Sequence, residues 1–299
     1  MPFVRLPDVK LHYVQLGRDH HPRGDNLVMI HGLAANLAFW YLRIAPAFTA
    51  DFAVTLFDLR GHGHSGRPPA GYTPAAMAED LRQMADQLGL QRFSILAHSF
   101  GGLVALHFIR AFPDRVDRLI LADTHLGVFR KHQRIKDLGR GRELRAALAA
   151  EGIEIDPGET HFGFRLLEKV ARLHVENPER ARRFEGRLSP FMGRAARHGA
   201  VRWIELLEST AAGKEIYRDD GLTLPCLRSI HTPTLSVYGE RSHALASGRA
   251  LATIWPQCRL EIVPNAGHFF PLSMPDSLID ASVPFLREGL RNIPESREP

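Results

Sequence analysis

The strongest constraint on the fold is a series of short apolar runs that alternate with segments of helical pattern. Runs of five or six apolar residues are typical of strands buried on both faces of a parallel sheet. The alternation therefore predicts an α/β fold with a mostly parallel central sheet and helices on both faces. The runs are LVMIH, AVTLFD, FSILAH, RLILAD, TLSVYG and RLEIVP, at 27–31, 53–58, 93–98, 118–123, 234–239 and 259–264. The predicted helices are 37–49, 73–88, 100–112, 246–255 and 275–290.

Two parts of the chain depart from this alternation. Segments 3–6 and 10–16 alternate apolar with polar residues, which predicts an antiparallel pair of strands. Several short helical patterns punctuated by prolines fill 126–224, which predicts a helical cap inserted over one end of the sheet. The predicted organisation is an α/β core of residues 1–125 and 225–292, a helical cap of residues 126–224, and a tail of residues 293–299.

Composition narrows the classes of protein. The chain has 299 residues, of which 24% are charged, and only two cysteines, so a disulfide framework and a Cys-x-x-Cys metal site are excluded. The net charge is +5, but the arginines are interleaved with acids, so nucleic acid is not an expected partner. The N-terminus lacks the apolar core of a signal peptide, and no apolar run approaches the ~20 residues of a membrane helix. We expect a cytoplasmic monomer or homodimer without membrane contact.

Ser99 lies in the segment AHSFGG, residues 97–102, between a predicted buried strand and a predicted helix. A serine at such a sharp turn projects its hydroxyl above the sheet edge, and small flanking residues permit the strained backbone. The N–H groups at the start of the helix would face a developing anion. The segment predicts a nucleophile, although a plain Ser-Gly-Gly turn has the same composition.

Two further segments would meet Ser99 at the same edge of the sheet. His268, in NAGHF at 265–269, follows the last apolar run and can approach Ser99 as a general base. The segment HGLAA, 31–35, follows the first long run, and the N–H of Leu33 could join that of Phe100 in an oxyanion hole. Each has a structural alternative, since the chain contains 16 histidines and glycine turns after strands are common.

A fourth segment, DLRGHGHSG at 58–66, is rich in glycine. It lacks the lysine and the spacing of a phosphate-binding Walker loop, and it does not have the Gly-x-Gly-x-x-Gly pattern. We interpret it as a structural turn in which Asp58 and Arg60 satisfy buried backbone groups or each other.

Together the four segments resemble the α/β-hydrolase superfamily. The resemblance joins an oxyanion segment at His31-Gly32, a loop typical of its epoxide hydrolase, dehalogenase, esterase and carbon–carbon hydrolase branch at 58–65, a nucleophile elbow at 97–102, and a histidine loop at 267–269. It covers nearly the whole chain and implies a cap-bearing serine hydrolase without metal or cofactor. Similar dehalogenases and epoxide hydrolases have an aspartate at the elbow, so Ser99 argues against those activities.

The acid that orients His268 is not where the family usually places it. After the run TLSVYG the resemblance implies Gly-x-x-Asp, but this chain has Ser242 at the acid position. Asp123 ends the run LILAD, which would lie beside the nucleophile strand, and some members of the superfamily carry their acid there. We favour Asp123 over Glu240, and a Ser-His dyad without an acid is the third possibility.

The predicted function is hydrolysis of a carboxylic ester, thioester or lactone through an acyl-enzyme on Ser99, with a small acyl compound as the partner. Alternatives are hydrolysis of a carbon–carbon bond in a meta-cleavage-type diketone acid, an acyltransferase or pathway thioesterase, and a non-catalytic member that binds a small ligand. The relatives that cleave carbon–carbon bonds usually have Trp after Gly-His, whereas this chain has Phe269. Candidate pocket residues are Phe39, Trp40, Phe129, Phe162 and Trp203.

Overall fold

The computed structural model describes residues 1–19, 25–130, 141–159, 161–186, 188–216, 218 and 221–290. Its eight described strands form one sheet in the order β1-β2-β4-β3-β5-β6-β7-β8. The β1–β2 and β2–β4 pairs are antiparallel, and every other neighbouring pair is parallel. The strands are β1 Phe3–Arg5, β2 Lys10–Leu16, β3 Asn26–Ile30, β4 Ala53–Phe57, β5 Phe93–His98, β6 Val116–Ala122, β7 Thr234–Gly239 and β8 Cys258–Val263.

Helices connect the strands, so the predicted α/β fold with a mostly parallel sheet is confirmed. The helices outside the segment between β6 and β7 are α1 Ala38–Tyr41, α2 Pro74–Gln87, α3 Phe100–Ala111, α11 Leu245–Ile254, α12 Phe270–Ser273 and α13 Pro275–Leu290. Between β6 and β7 they are α4 Gly127–Arg130, α5 Gly141–Ala150, α6 Phe162–Glu176, α7 Pro178–Ala181, α8 Ala196–Ser209, α9 Ala212–Glu215 and α10 Leu224–Arg228. Short 3-10 helices are Ala45–Phe48, Pro113–Arg115, Arg182–Phe184 and Gly193–Ala195.

Local capping rules place the ends of α2. The Thr73 side chain accepts a hydrogen bond from Ala76 N at 3.2 Å, and Pro74 occupies the first helical position, where its missing N–H costs nothing. Gly89, just beyond the helix, has φ +70°, a backbone conformation that glycine adopts without strain.

Two predictions about elements were wrong. The predicted helix over 37–49 is instead α1 followed by the separate 3-10 helix Ala45–Phe48, and Pro46, which lacks an N–H and has a fixed φ, lies in the first turn of that second helix. The run RLEIVP is not buried on both faces, because β8 is the edge strand and the side chains of Arg259 and Glu261 are exposed.

The core lies on both faces of the sheet. Successive residues of a strand point to opposite faces, and accordingly Val28 and Ile30 belong to one buried cluster while Leu27 and Met29 belong to the other. The first cluster continues into the helices between β6 and β7, for example through Trp203 of α8. Full burial of each such side chain contributes about 1.5–3 kcal/mol, so the two clusters hold the helices on the sheet.

The predicted cap, 126–224, corresponds in sequence to the helical segment between β6 and β7, of which residues 131–140 and a few single positions lie outside the described residues. A smaller buried cluster of its own, including Leu148, Phe162 and Phe184, packs α5 and α6 together. The predicted tail, 293–299, also lies outside the described residues. Among the described helices, none is long and apolar enough to cross a membrane.

The sheet order fixes where a site can form. The chain leaves β3 toward β4 on one side, and β5 lies against β3 on the other side. In open α/β sheets, ligands bind outside the carboxyl ends of the strands at such a reversal of strand order. Residues 31–35 follow β3 and Ser99 follows β5, so both segments lie at this point.

Candidate active site

Ser99 joins β5 to α3 through a strained backbone. Its φ and ψ are 54° and −120°, a region that non-glycine residues rarely occupy. Its N–H donates to the carbonyl oxygen of Ala122, the last residue of β6, at 3.0 Å, which ties the turn to the neighbouring strand. The turn brings the Ser99 hydroxyl to the carboxyl edge of the sheet.

The glycines of the elbow allow α3 to approach the sheet closely. A Cβ on Gly101 would lie 2.6 Å from the carbonyl oxygens of Ile30 and His31, which is closer than atoms can pack. A Cβ on Gly102 would lie 2.0 Å from Thr124 Oγ1. Both positions therefore require glycine for steric reasons, and they hold the start of α3 directly over the ends of the strands.

The structure brings Ser99, His268 and Asp123 together in one hydrogen-bonded row. His268 Nε2 lies 2.9 Å from Ser99 Oγ, and His268 Nδ1 lies 2.8 Å from Asp123 Oδ1. Asp123 directly follows β6 and is fully buried, whereas 13% of the His268 side chain is exposed. A serine, an imidazole and a carboxylate in this order can carry out nucleophilic catalysis, because the imidazole can take the hydroxyl proton while the carboxylate fixes its tautomer.

Glu240, the alternative acid, is placed elsewhere. Its side chain is exposed, and its carboxylate accepts a hydrogen bond from the N–H of Asn265 at 2.8 Å. The Nδ1 atom of His268 is paired with Asp123 instead. Glu240 therefore shapes the loop that carries His268, and the choice of Asp123 over Glu240 agrees with these contacts.

The Asp123 carboxylate has two further donors that sequence reasoning missed. The N–H of Gly239 donates to Oδ2 at 2.8 Å, and the Ser242 hydroxyl donates to Oδ1. Ser242 is the residue that stands at the family's usual acid position. This neutral residue contacts the carboxylate from the turn that follows the adjacent strand β7.

His98, next to the nucleophile, supports the histidine loop. Its Nε2 donates to the carbonyl oxygen of His268 at 3.0 Å, and its ring stacks on Phe39 with the ring centres 4.8 Å apart. Burial lowers the pKa of His98 well below its ordinary value, and the nearby His268 adds to this effect. The neutral His98 ring thus supports the backbone of His268 from below the site. No sequence motif predicted this role.

His31 fixes the predicted oxyanion segment. Its Nδ1 donates to Gly32 O at 2.7 Å, and its Nε2 accepts from Leu59 N at 3.1 Å, so both ring nitrogens are used. Burial lowers the pKa of His31, which keeps the ring neutral, as this pair of bonds requires. The segment that it anchors carries Leu33, and Phe100 is the first residue of α3, where helical N–H groups have no carbonyl partner within the helix.

The loop 58–66 is structural, as interpreted, but Asp58 and Arg60 do not pair with each other. Asp58 accepts from Leu37 N at 2.7 Å, from His64 N at 2.8 Å and from His12 Nδ1 at 2.8 Å. Arg60 instead forms a buried pair with Asp80 of α2, with Nε to Oδ2 at 2.6 Å and Nη2 to Oδ1 at 2.5 Å. Asp58 thus ties the start of α1 to this loop, and Arg60 ties the loop to α2.

Two of the predicted pocket residues lie near the histidines of the site, and the other three lie in or against the core clusters. Phe39 lies against His98, and Phe162 meets the ring of His243, whose centre is 4.8 Å from that of His268. Trp40 is fully buried in the core cluster on one face of the sheet, where its ring lies 4.7 Å from that of Phe39 between ring centres. The half-buried Phe129 and the buried Trp203 pack against the other core cluster.

A cavity of about 280 Å³ lies between the oxyanion segment, the loop 58–66 and helix α8. Trp203, Arg202 and His62 are among its lining residues. Burial lowers the pKa of His62 to about 3, and its Nδ1 bonds to the carbonyl oxygen of Arg60 at 2.9 Å. The imidazole of His62 is therefore neutral at physiological pH. Within the described part of the chain, no group of His, Cys, Asp and Glu side chains is arranged to hold a metal ion.

Comparison with known proteins settles the family. The model of the α/β hydrolase fold matches residues 25–275. The chain belongs to the α/β hydrolase family. This hydrolase is 28% identical over 289 residues to a soluble epoxide hydrolase of Corynebacterium sp. (strain C12), an alignment that covers 92% of this chain and 93% of that protein.

Two further comparisons are a partial match to an uncharacterized protein and a structural match to an esterase. An uncharacterized protein of Mycobacterium tuberculosis is 41% identical over 101 residues, but the match spans only 33% of this chain and 28% of the length of that relative. A solved thermophilic esterase from Thermogutta terrifontis is 27% identical, with a TM-score of 0.59 and 94% of each chain covered. The predicted family is confirmed, and its members here include both an epoxide hydrolase and an esterase.

Proposed function

We propose that this α/β hydrolase cleaves a carboxylic ester, thioester or lactone through an acyl-enzyme on Ser99. The row formed by Ser99, His268 and Asp123 carries the proposal, because it supplies a nucleophile, a base and an orienting acid at hydrogen-bonding distances. The similarity to an esterase from Thermogutta terrifontis supports the same class of substrate.

The first half of the reaction forms the acyl-enzyme. His268 Nε2 takes the proton of Ser99 Oγ while that oxygen attacks the carbonyl carbon of the substrate. Asp123 holds the Nδ1–H tautomer of His268 and stabilises the imidazolium that forms. The N–H groups of Leu33 and Phe100 are the proposed donors to the tetrahedral oxyanion. The oxyanion collapses, the bond to the leaving group breaks, and His268 returns its proton to that group.

The second half repeats the chemistry with water. His268 takes a proton from a water molecule, whose oxygen attacks the acyl carbon bound to Ser99. The second tetrahedral intermediate then collapses, and the proton passes from His268 to Ser99 Oγ. The carboxylic acid leaves, and Ser99, His268 and Asp123 are again in their starting protonation states.

The chain is also similar to a soluble epoxide hydrolase, and the residue at the nucleophile position distinguishes epoxide opening from acyl chemistry. The resemblance places an aspartate at the elbow of epoxide hydrolases and dehalogenases, and this chain has Ser99 there. A serine hydroxyl needs an adjacent base to become a nucleophile, and His268 Nε2 lies 2.9 Å away to act as one. This favours acyl chemistry over epoxide opening.

The direct test is turnover of p-nitrophenyl esters from acetate to decanoate by the wild type and by Ser99→Ala. We expect a chain-length optimum in the wild type and loss of turnover in the variant, whose thermal unfolding should stay close to that of the wild type. A wild type that is inert on every ester would contradict the proposal. Ring-cleavage diketone acids, acyl transfer to alcohols or thiols, and ligand binding without turnover would then be tested in turn.

A further inference from the structure

The carboxylate of Asp123 is held by donors from three positions. It is fully buried, and burial by itself disfavours the charged form of an acid. Gly239 N donates to one oxygen, and His268 Nδ1 and Ser242 Oγ both lie against the other. Two of these donors, Gly239 and Ser242, come from the end of β7 and the turn that follows it, so this turn forms one wall of the acid's pocket.

The hydroxyl of Ser242 has a defined direction. The N–H of Ala244 donates to Ser242 Oγ at 3.0 Å, which occupies a lone pair of that oxygen. A hydroxyl has a single proton to donate, and in this arrangement it points to Asp123 Oδ1. The backbone of Ser242 is fixed as well, since its N–H donates to Gly239 O at 3.0 Å.

We propose that Ser242 is a positioning residue of this hydrolase, which holds the Asp123 carboxylate in the orientation that in turn orients His268. The inference rests on the proposed function, in which His268 is the base. Ser242 acts through Asp123: its proton and the Nδ1 proton of His268 meet at the same oxygen, so the serine restricts rotation of the carboxylate and shares its charge.

Removal of the hydroxyl has a predictable effect on catalysis. In Ser242→Ala, Asp123 Oδ1 keeps only the His268 contact, and the carboxylate becomes a stronger base that holds the proton on the imidazole to higher pH. We expect the acid limb of the kcat/KM profile to move up by about 0.5–1 pH unit, the shift that corresponds to one hydrogen bond. We also expect kcat to fall about tenfold with KM nearly unchanged, because the contact is made to the catalytic machinery and not to substrate.

Two matched variants separate positioning from stability. Ser242→Thr keeps the hydroxyl and should restore both the pH profile and kcat. Ser247→Ala removes a buried hydroxyl of α11 that accepts from Leu126 N at 3.1 Å, so it should lower stability without moving the pH profile. If Ser242→Ala does not fold, Ser242→Cys takes its place, since a thiol is only a weak donor.

A second measurement works even without a substrate. The Nδ1 proton of His268 should give a low-field proton NMR signal that is absent in His268→Gln. The inference predicts that this signal shifts or broadens in Ser242→Ala and returns to its position in Ser242→Thr. An unchanged signal in Ser242→Ala, or an unchanged pH profile and kcat, would overturn the positioning role. An inert wild type whose signal still responds would count against the proposed function alone.

Discussion

At the scale of single residues, the site depends on side chains at the ends of three strands. Ser99, Asp123 and His268 follow β5, β6 and β8, and their contacts measure 2.8–2.9 Å. Two of them adopt positive φ, 54° for Ser99 and 53° for Asp123, which costs about 1–3 kcal/mol each and is typical of functional sites. Hydrogen bonds to neighbouring strands, from Ser99 N to Ala122 O and from Asp123 N to Val237 O, offset this strain.

Replacing each candidate acid by its amide separates them. Asp123→Asn keeps the size and the tolerance for positive φ but allows the wrong His268 tautomer, so kcat should fall about 10⁴-fold. Glu240→Gln keeps the acceptor for Asn265 N–H, and its kcat should stay within about twofold of the wild type. Steady-state kinetics on the best p-nitrophenyl ester checks both. Equal losses in the two variants would contradict the assignment of Asp123.

Much of the candidate site was predictable at this scale because parallel strands bring their carboxyl ends to one edge. Ser99 was predicted from its position after an apolar run, and Asp123 from its position at the end of the next run together with the family resemblance; their catalytic roles stay predictions. The contacts made by His31, His98 and Ser242 were not predictable, since they depend on which side chains meet across the sheet. The pocket residues stay predictions, because aromatic composition does not say which face of an element is buried.

At the scale of elements, the loop 58–66 joins three parts of the molecule. Asp58 accepts from Leu37 N at the start of α1, Arg60 pairs with Asp80 of α2, and Arg202 of α8 donates to Gly63 O at 2.5 Å. The predicted helix over 37–49 was wrong because a separate 3-10 helix, Ala45–Phe48, begins there with Pro46 in its first turn. The α2 boundaries were correct because Thr73, Pro74 and Gly89 act locally. The capping signals of α2 were recognised in the sequence, whereas Pro46, an equally local signal, was not used to divide the helix predicted over 37–49.

The pair formed by Arg60 and Asp80 should be strongly coupled. Both side chains are at least 95% buried, and burial raises the pKa of Asp80 while its bonds to Arg60 oppose that change. Arg60→Met should lower the free energy of unfolding by about 3–5 kcal/mol, because it leaves a buried carboxylate without its partner. Arg60→Met/Asp80→Leu should recover part of the loss. Urea unfolding of both variants checks this, and a double variant less stable than Arg60→Met would contradict it.

At the scale of the whole molecule, the fold was predictable while the substrate was not. The apolar runs and their order along the chain were sufficient to predict a mostly parallel α/β sheet, because buried strands have locally apolar sequences. The edge position of β8 was not predicted, although Arg259 and Glu261 alternate with apolar residues in its sequence. Substrate choice depends on the shape of a pocket formed by distant segments, and the family includes both an epoxide hydrolase and an esterase among the relatives of this chain.

The buried histidines should make stability depend on pH. Burial lowers the pKa of His31, His62 and His98 in the folded chain, and that of His62 falls to about 3. The unfolded chain binds their protons from about pH 6.5 downward, so the folded state loses stability as pH falls below that value. His62 alone should contribute up to about 1.4 kcal/mol per pH unit to this slope, and His31 and His98 should add to it in the same direction.

Urea unfolding between pH 7.5 and 5.0 measures this slope. His62→Asn removes one titrating group and keeps a donor for Arg60 O, so its slope should be smaller by about 1.4 kcal/mol per pH unit. A variant whose stability falls as steeply as that of the wild type would show that His62 is not buried in its neutral form.

The proposed activity requires Ser99 to be a nucleophile. The most direct measurement is intact-mass spectrometry after brief exposure to a fluorophosphonate, followed by peptide mapping. We predict one adduct per chain on the peptide that contains Ser99, no adduct on Ser99→Ala, and labelling of His268→Gln slowed by orders of magnitude. A folded wild type that takes up no label, or that is labelled at another residue, would contradict the central claim.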